Sequence, residues 1–204
     1  MRITKIVQQE KQRDRYSLFV DEKYAFSLSE SALLASKLAT GQELQPEELK
    51  QWKQESADDK ISSSALRYAA MRLRSQWEME QYLKRKSASP ALAEKILSKL
   101  TNIGMLDDAK FAEAWVANRR LLRPTSKRKL QQELRAKRIS DEVINVTLSE
   151  GEAGDERAVL RELIVKKRNL PKYKADPLKL MQYLARQGFN YDDIKAVLSA
   201  DSED

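Results

Sequence analysis

Two pairs of adjacent carboxylates, Asp107-Asp108 and Asp192-Asp193, are the residues of this chain best spaced for metal chemistry. Hard oxygen ligands in close succession suit Mg²⁺. No third acid follows either pair at ligand spacing, and each pair falls in or just before the first turn of an expected helix. There carboxylates answer unpaired backbone N–H groups and the positive end of the helix dipole. The expected role is therefore capping, with no metal and no cofactor. The 204 residues include no His and no Cys. That removes zinc sites, thiol nucleophiles and Ser-His-Asp triads from consideration. A carboxylate-dependent nuclease is the one enzymatic alternative, and the reading expects no enzyme and no catalytic residue.

The cations are more telling. Residues 1–60 carry 10 basic and 11 acidic side chains, residues 61–150 carry 18 and 10, and residues 151–204 carry 10 and 10. The middle of the chain thus holds the whole excess behind the net charge of +7. Between Arg119 and Arg138 lie nine basic residues against the single acid Glu133. Such density attracts a polyanion or an acidic protein surface, although a solvated helix face rich in Lys and Arg reads the same way. At about 100° per residue, Lys127, Arg128, Arg135 and Arg138 share one sector of a helix whose apolar side holds Leu130 and Leu134. Arg120 and Arg123 extend this strip, as do Lys84, Arg85 and Lys86 at the matching point about 50 residues earlier. Arg119 falls instead inside the apolar arc of Phe111, Trp115 and Val116, where it is expected to pair with a carboxylate or snorkel.

These side chains must be positioned by helices. Ser89 before Pro90 and Asp176 before Pro177 place a capping oxygen ahead of a proline at the first helical position. Asn190 with Asp193 resembles a capping box, and Gly104 and Gly188 fit the left-handed residue that ends a helix. The helical pattern repeats. Leu134, Ile139, Ile144 and Leu148 superpose on Leu184, Phe189, Ile194 and Leu198 after a shift of 50 residues, and Leu134, Ser140, Val143 and Leu148 on Leu83, Ser89, Leu92 and Leu97 after a shift of 51. Three copies of a two-helix pattern follow, each preceded by a more loosely matched helix: Ser64 to Leu73, Asp107 to Leu122, and Glu156 to Arg168. Stacked units of this kind bury apolar surface against their neighbours, which predicts an elongated body.

The first 60 residues differ in kind. Ile3 to Val7, Tyr16 to Val20 and Tyr24 to Leu28 are rich in β-branched and aromatic residues, and Asp21-Glu22-Lys23 suggests a hairpin turn. A helix from Ser29 to Ala39 closed by Gly41, a second from Pro46 to Gln54, and a polar linker from Gln54 to Lys60 complete the expectation. The fold class is mainly α: an elongated array of three tandem three-helix repeats with a small N-terminal β-meander plus helices. The expected boundaries are 1–60, 61–106, 107–150 and 151–204.

The segment IGMLDDAKFAEAWVANR, Ile103 to Arg119, resembles the signature of the RecX family of bacterial regulators of the RecA recombinase. RPTSKRKLQQELRAKRIS (Arg123 to Ser140) is similar to the family's next helix, and LMQYLARQGFNYDDIKAVL (Leu180 to Leu198) to its closing repeat. LRSQWEMEQYLKRK fits the first repeat with more substitutions, since Ser87 and Ala88 stand where the family usually has Gly and an apolar residue. DRYSLFVDEKYAFSLSE is similar to the extension of longer members, so the resemblance spans nearly the whole chain.

The resemblance implies a non-enzymatic inhibitor that lies along the groove of the RecA–DNA filament and suppresses its ATPase and strand exchange. It further implies a place in DNA repair, recombination and the SOS response. The expected partners are the RecA filament and single- and double-stranded DNA, the latter bound nonspecifically through charge, by a monomer. The alternative is a sequence-specific DNA-binding helical module, because three-helix units lie close to helix-turn-helix geometry. A cytoplasmic location without a membrane partner is expected: no apolar run approaches the roughly 18 residues of a span, and the N-terminus lacks the apolar core of a secretion signal.

Overall fold

The computed structural model describes residues 1–149 and 156–200. Three short strands open the chain: β1 (Ile3–Gln8), β2 (Arg15–Val20) and β3 (Lys23–Ser29). They form an antiparallel sheet in the order β1-β2-β3. Asp21 and Glu22 both adopt positive φ, 48° and 64°, which matches the twist of a tight hairpin between β2 and β3. One face of the sheet buries Ile3, Leu18, Val20, Phe26 and Leu28, together with Leu38 and Leu44 from the segment beyond. The helix α1 (Glu30–Ser36) is shorter than expected. Lys37, at φ 55°, ends it in the left-handed region, so Gly41 is not its terminator.

The expected linker at residues 54–60 is instead the middle of one 25-residue helix, α2 (Pro46–Ala70). Its polar residues are used to tie the helix to the edge strand β3. Ser56 Oγ donates to Ser27 O at 2.6 Å and accepts from Ser27 N at 3.3 Å. Asp59 accepts from Ser29 N at 2.8 Å and from Ser29 Oγ at 2.6 Å, and pairs with the buried Arg15 at 2.9 Å. The free edge of a sheet needs partners, and α2 supplies them. Trp52 stacks on Phe26 with ring centroids 6.4 Å apart. The leading helix of the first repeat is therefore the C-terminal part of α2.

The remaining helices are α3 (Gln76–Arg85), α4 (Pro90–Asn102), α5 (Asp108–Leu122), α6 (Lys127–Ala136), α7 (Asp141–Ser149), α8 (Glu156–Arg168), α9 (Pro171–Lys174), α10 (Pro177–Arg186) and α11 (Tyr191–Ala200). The chain is thus mainly helical, with a small N-terminal sheet. Two expected caps form: Ser89 Oγ accepts from Leu92 N at 3.2 Å, and Asp176 Oδ1 from Lys179 N at 3.3 Å; Asn190 Oδ1 accepts from Asp192 N at 3.4 Å, while Asp193 pairs with Arg157 instead of closing a capping box. Among the described residues, no helix is long and apolar enough to cross a membrane.

Four turns share one hydrogen-bond pattern: besides the turn at Gly104, where Gly104 N donates to Thr101 O and Met105 N to Leu100 O, it recurs at three matching repeat positions. Ser87 N donates to Lys84 O and Ala88 N to Leu83 O; Arg138 N to Arg135 O and Ile139 N to Leu134 O; Gly188 N to Ala185 O and Phe189 N to Leu184 O. In each, the first residue is left-handed, at φ 56°, 60° and 91°. The pattern is that of a helix-ending motif that returns the chain toward the core. The turn after α3 therefore forms despite Ser87 and Ala88. Leu134, Ile139 and Ile144 are buried in one core, and their counterparts Leu184, Phe189 and Ile194 in another.

The chain divides into two compact units: Met1–Arg72 with Met79–Met105, and Leu73–Glu78 with Leu106–Asp204. In the first, Tyr82 of α3 stacks on Tyr68 of α2 at 4.1 Å between centroids, and its hydroxyl donates to Ser64 O at 3.2 Å. In the second, the second and third repeats join around Gln187. Thr125 Oγ1 and Ser126 N both donate to Gln187 O, at 2.7 and 3.1 Å. Lys129 Nζ donates to Arg186 O at 2.9 Å and to Gln187 Oε1 at 3.2 Å.

Candidate functional site

Asp107 caps α5, and Asp108 and Asp193 brace neighbouring segments. Asp107 Oδ1 accepts from Ala109 N at 3.0 Å and Lys110 N at 3.1 Å. The Lys110 N–H holds its carboxyl below the ordinary range, against the opposing effect of burial. Asp108 accepts from Gln76 N at 2.8 Å, and Asp193 from Arg157 Nε at 3.2 Å. Among the described residues, no group of three or more acids gathers at a metal site.

The corner that joins α5 to α6 is fixed from within. Pro124, Thr125 and Ser126 are buried, and Ser126 Oγ caps α6 by accepting from Lys129 N at 3.2 Å. Arg120 is half-buried and its Nη1 donates to Thr125 O at 3.0 Å. Burial depresses its pKa, while the charge of Glu156 opposes that shift. Arg120 thus braces the corner it was expected to extend outward. The Lys127 N–H donates to Glu156 Oε1 at 3.2 Å, and Lys127 is half-buried.

Around this frame the outer cations are laid out. Arg123 ends α5, with its N–H donating to Arg119 O at 2.9 Å, and its side chain is exposed. Arg128 is exposed on the first turn of α6. Arg135 is also exposed and pairs with Asp141 at 2.8 Å, a surface pair that solvent screens and a stronger anion can displace. Arg138 is exposed but lies beyond the end of α6, in the left-handed turn, so its helical-wheel angle does not apply. The helix closes on Lys137, one residue before Arg138. Among the described residues, no ion pair engages Arg123, Arg128 or Arg138. Lys84, Arg85 and Lys86 are exposed at the end of α3, in the other unit, with Lys86 Nζ 5.6 Å from the Tyr82 ring centre.

The first turn of α6 holds Lys127, Arg128 and Lys129 and no acid of its own. Cations at the positive end of a helix are unfavourable by a few tenths of a kcal/mol each, about the size of the usual dipole effect. Their cost is reduced when an anion arrives.

Behind this surface, Arg119 pairs with Glu133 as the apolar-arc reading expects. Glu133 also accepts from Trp115 Nε1 at 3.0 Å. Burial pushes its carboxyl up, but the Arg119 and Trp115 hydrogen bonds outweigh burial and hold it below the ordinary value. Lys137 sits 5.3 Å over the Trp115 ring and donates to Glu78 at 2.6 Å, so it is an internal tie despite its place in the basic stretch. Glu78 and Lys137 occupy the repeat positions that Lys129 and Gln187 occupy one repeat later. The same contact is thus made once as an ion pair and once as a hydrogen bond. Composition could not single out Glu78; the repeat offset could have.

Family models match three segments: "Regulatory protein RecX N-terminal domain" over residues 1–45, "RecX, first three-helix domain" over 63–100, and "RecX, second three-helix domain" over 107–148. Regulatory protein RecX of Bacillus licheniformis is 36% identical over 96% of this chain and 76% of its own length. That of Bacillus subtilis is 32% identical over 96% of this chain and 75% of its own. A crystal structure of regulatory protein RecX superposes with a TM-score of 0.70 at 25% identity, covering 97% of this chain and 98% of the other. With three family segments in chain order and relatives matched over nearly its full length, this chain belongs to the RecX family of regulatory proteins.

Proposed function

We propose that this protein regulates the RecA recombinase, mainly as an inhibitor, by binding the RecA filament on DNA and modulating its ATPase, strand exchange and stability. The observation that carries the reading is the rigid α5–α6 corner of a RecX-family chain, which presents Arg123 and Arg128 without an ion pair among the described residues. Its working units are the N-terminal extension and the repeats 61–106, 107–150 and 151–204, with the C-terminal part of α2 as the leading helix of the first repeat. The middle repeat is the anchor, with Arg135 and Arg138 on its flank and Lys84, Arg85 and Lys86 of the first repeat as additional cations.

The mechanism needs no catalytic group. A bound protein shifts the filament toward an inactive or dissociating state only by binding that state more tightly than the active one. Capture through cations is screened by salt, and contacts to duplex phosphates contribute close to one unit of log-log slope each. The protein acts as a cytoplasmic monomer and touches DNA without reading its sequence. The test is RecA's DNA-dependent ATPase, measured with and without this protein at two salt concentrations. Inhibition that weakens as salt rises is expected; an ATPase unaffected at both would overturn the reading.

A further inference from the structure

The cationic corner carries two large apolar side chains that its charge does not explain. Leu121 and Leu122, the last residues of α5, are 76% and 72% exposed, directly between Arg120 and Arg123. A helix end that is only structural has no use for adjacent bare leucines, each of which costs apolar surface in water. The corner beneath them is held by the Arg120 to Thr125 bond and by the two bonds to Gln187, so they are presented in a fixed place. The same position of the first repeat repeats the device: Met71 is 78% exposed at the end of α2 and is followed by Arg72. In the third repeat, the corresponding corner folds into α9 instead.

We infer that the α5–α6 corner docks on protein, through Leu121 and Leu122 seated in an apolar pocket rimmed by carboxylates, and not on DNA. The inference rests on the filament-binding reading and assigns this surface to the filament's protein component. Charge complementarity selects the occupant. Arg123 and Arg128 beside the leucines call for acidic groups, and a nucleic acid would meet those cations with phosphates that desolvate poorly against aliphatic side chains. Neither leucine can stack on a base as an aromatic side chain does. An apolar anchor within a charged rim is the usual anatomy of a protein interface.

Two double variants test this. L121S/L122S should raise the concentration needed for half-inhibition of RecA's ATPase by about tenfold or more, the scale of losing an anchor pair. Its affinity for labelled single- and double-stranded oligonucleotides should stay within about twofold, since no phosphate contact changes. L121K/L122K adds two cations: it should bind the oligonucleotides more tightly yet inhibit less. Thermal unfolding checks that both remain folded, as exposed positions allow. Inhibition unchanged in L121S/L122S, or stronger in L121K/L122K in step with DNA affinity, would overturn the inference while leaving the regulatory reading intact. A wild-type protein without effect on RecA would overturn both.

Discussion

Glu133 accepts hydrogen bonds from the Trp115 indole and the Arg119 guanidinium within one half-buried cluster. Replacement by Gln should cost about 2 kcal/mol, because Arg119 then loses its charged partner where water cannot fully replace it. The pH dependence follows from the depressed carboxyl. Its folded-state pKa lies below its unfolded value, so its contribution is present in full above the ordinary Glu range and is lost as pH falls through the folded value. Urea unfolding at about pH 7 and about pH 3 should show E133Q less stable at the higher pH and nearer the wild type at the lower. A constant difference at both would contradict the pairing. The position of Arg119 inside an apolar arc was enough to anticipate a carboxylate partner. The fate of Lys137 is not legible from helical spacing, because its partner Glu78 lies 59 residues away; the repeat offset, not the local pattern, links them.

At the scale of elements, the three helix-ending turns make opposite demands on the same position. Gly188 is needed twice over: its φ is 91°, and a Cβ there would lie 2.3 Å from Ser126 Oγ and 3.1 Å from Lys129 Cβ. G188A should therefore destabilise by about 2 to 3 kcal/mol through strain and overpacking at the junction of the second and third repeats. Arg138 tolerates the same left-handed backbone at φ 60°. R138G should leave stability unchanged or raise it by up to about 1 kcal/mol, relief of the left-handed penalty being partly offset by chain entropy. Thermal unfolding should thus show a clear loss for G188A and none for R138G. The strands and the turns and caps at Ser89-Pro90, Gly188 and Asp21-Glu22 are readable from local signals, whereas the left-handed ends at Lys37, Ser87 and Arg138 carry no glycine to mark them. The α2 helix was misread because Ser56, Asp58 and Asp59 look like a solvated break. The partners of Ser56 and Asp59 on β3 and β2 are distant in sequence, and tertiary hydrogen bonds turn a linker-like composition into the middle of a helix.

For the whole molecule, the excess of basic over acidic residues is concentrated in the middle of the chain, and the structure separates it into cations that hold the fold and cations that stay exposed. Arg119, Arg120, Lys129 and Lys137 hold the fold, whereas Arg123, Arg128 and Arg138 are exposed without ion pairs among the described residues. The family resemblance is legible because the second-repeat signature is local, and the charge count alone overstates how many of these cations stand exposed. If the exposed cations provide electrostatic capture, binding to DNA itself should be weak and salt-sensitive, and should not discriminate between unrelated duplexes by the thousandfold or so that marks specific readout. The measurement that bears most directly on this account is the inhibition of RecA's DNA-dependent ATPase by R123E/R128E/R138E beside the wild type, with circular dichroism to confirm equal helicity. Loss of inhibition at unchanged helicity is predicted; inhibition equal to that of the wild type would contradict the claim that this corner captures the filament.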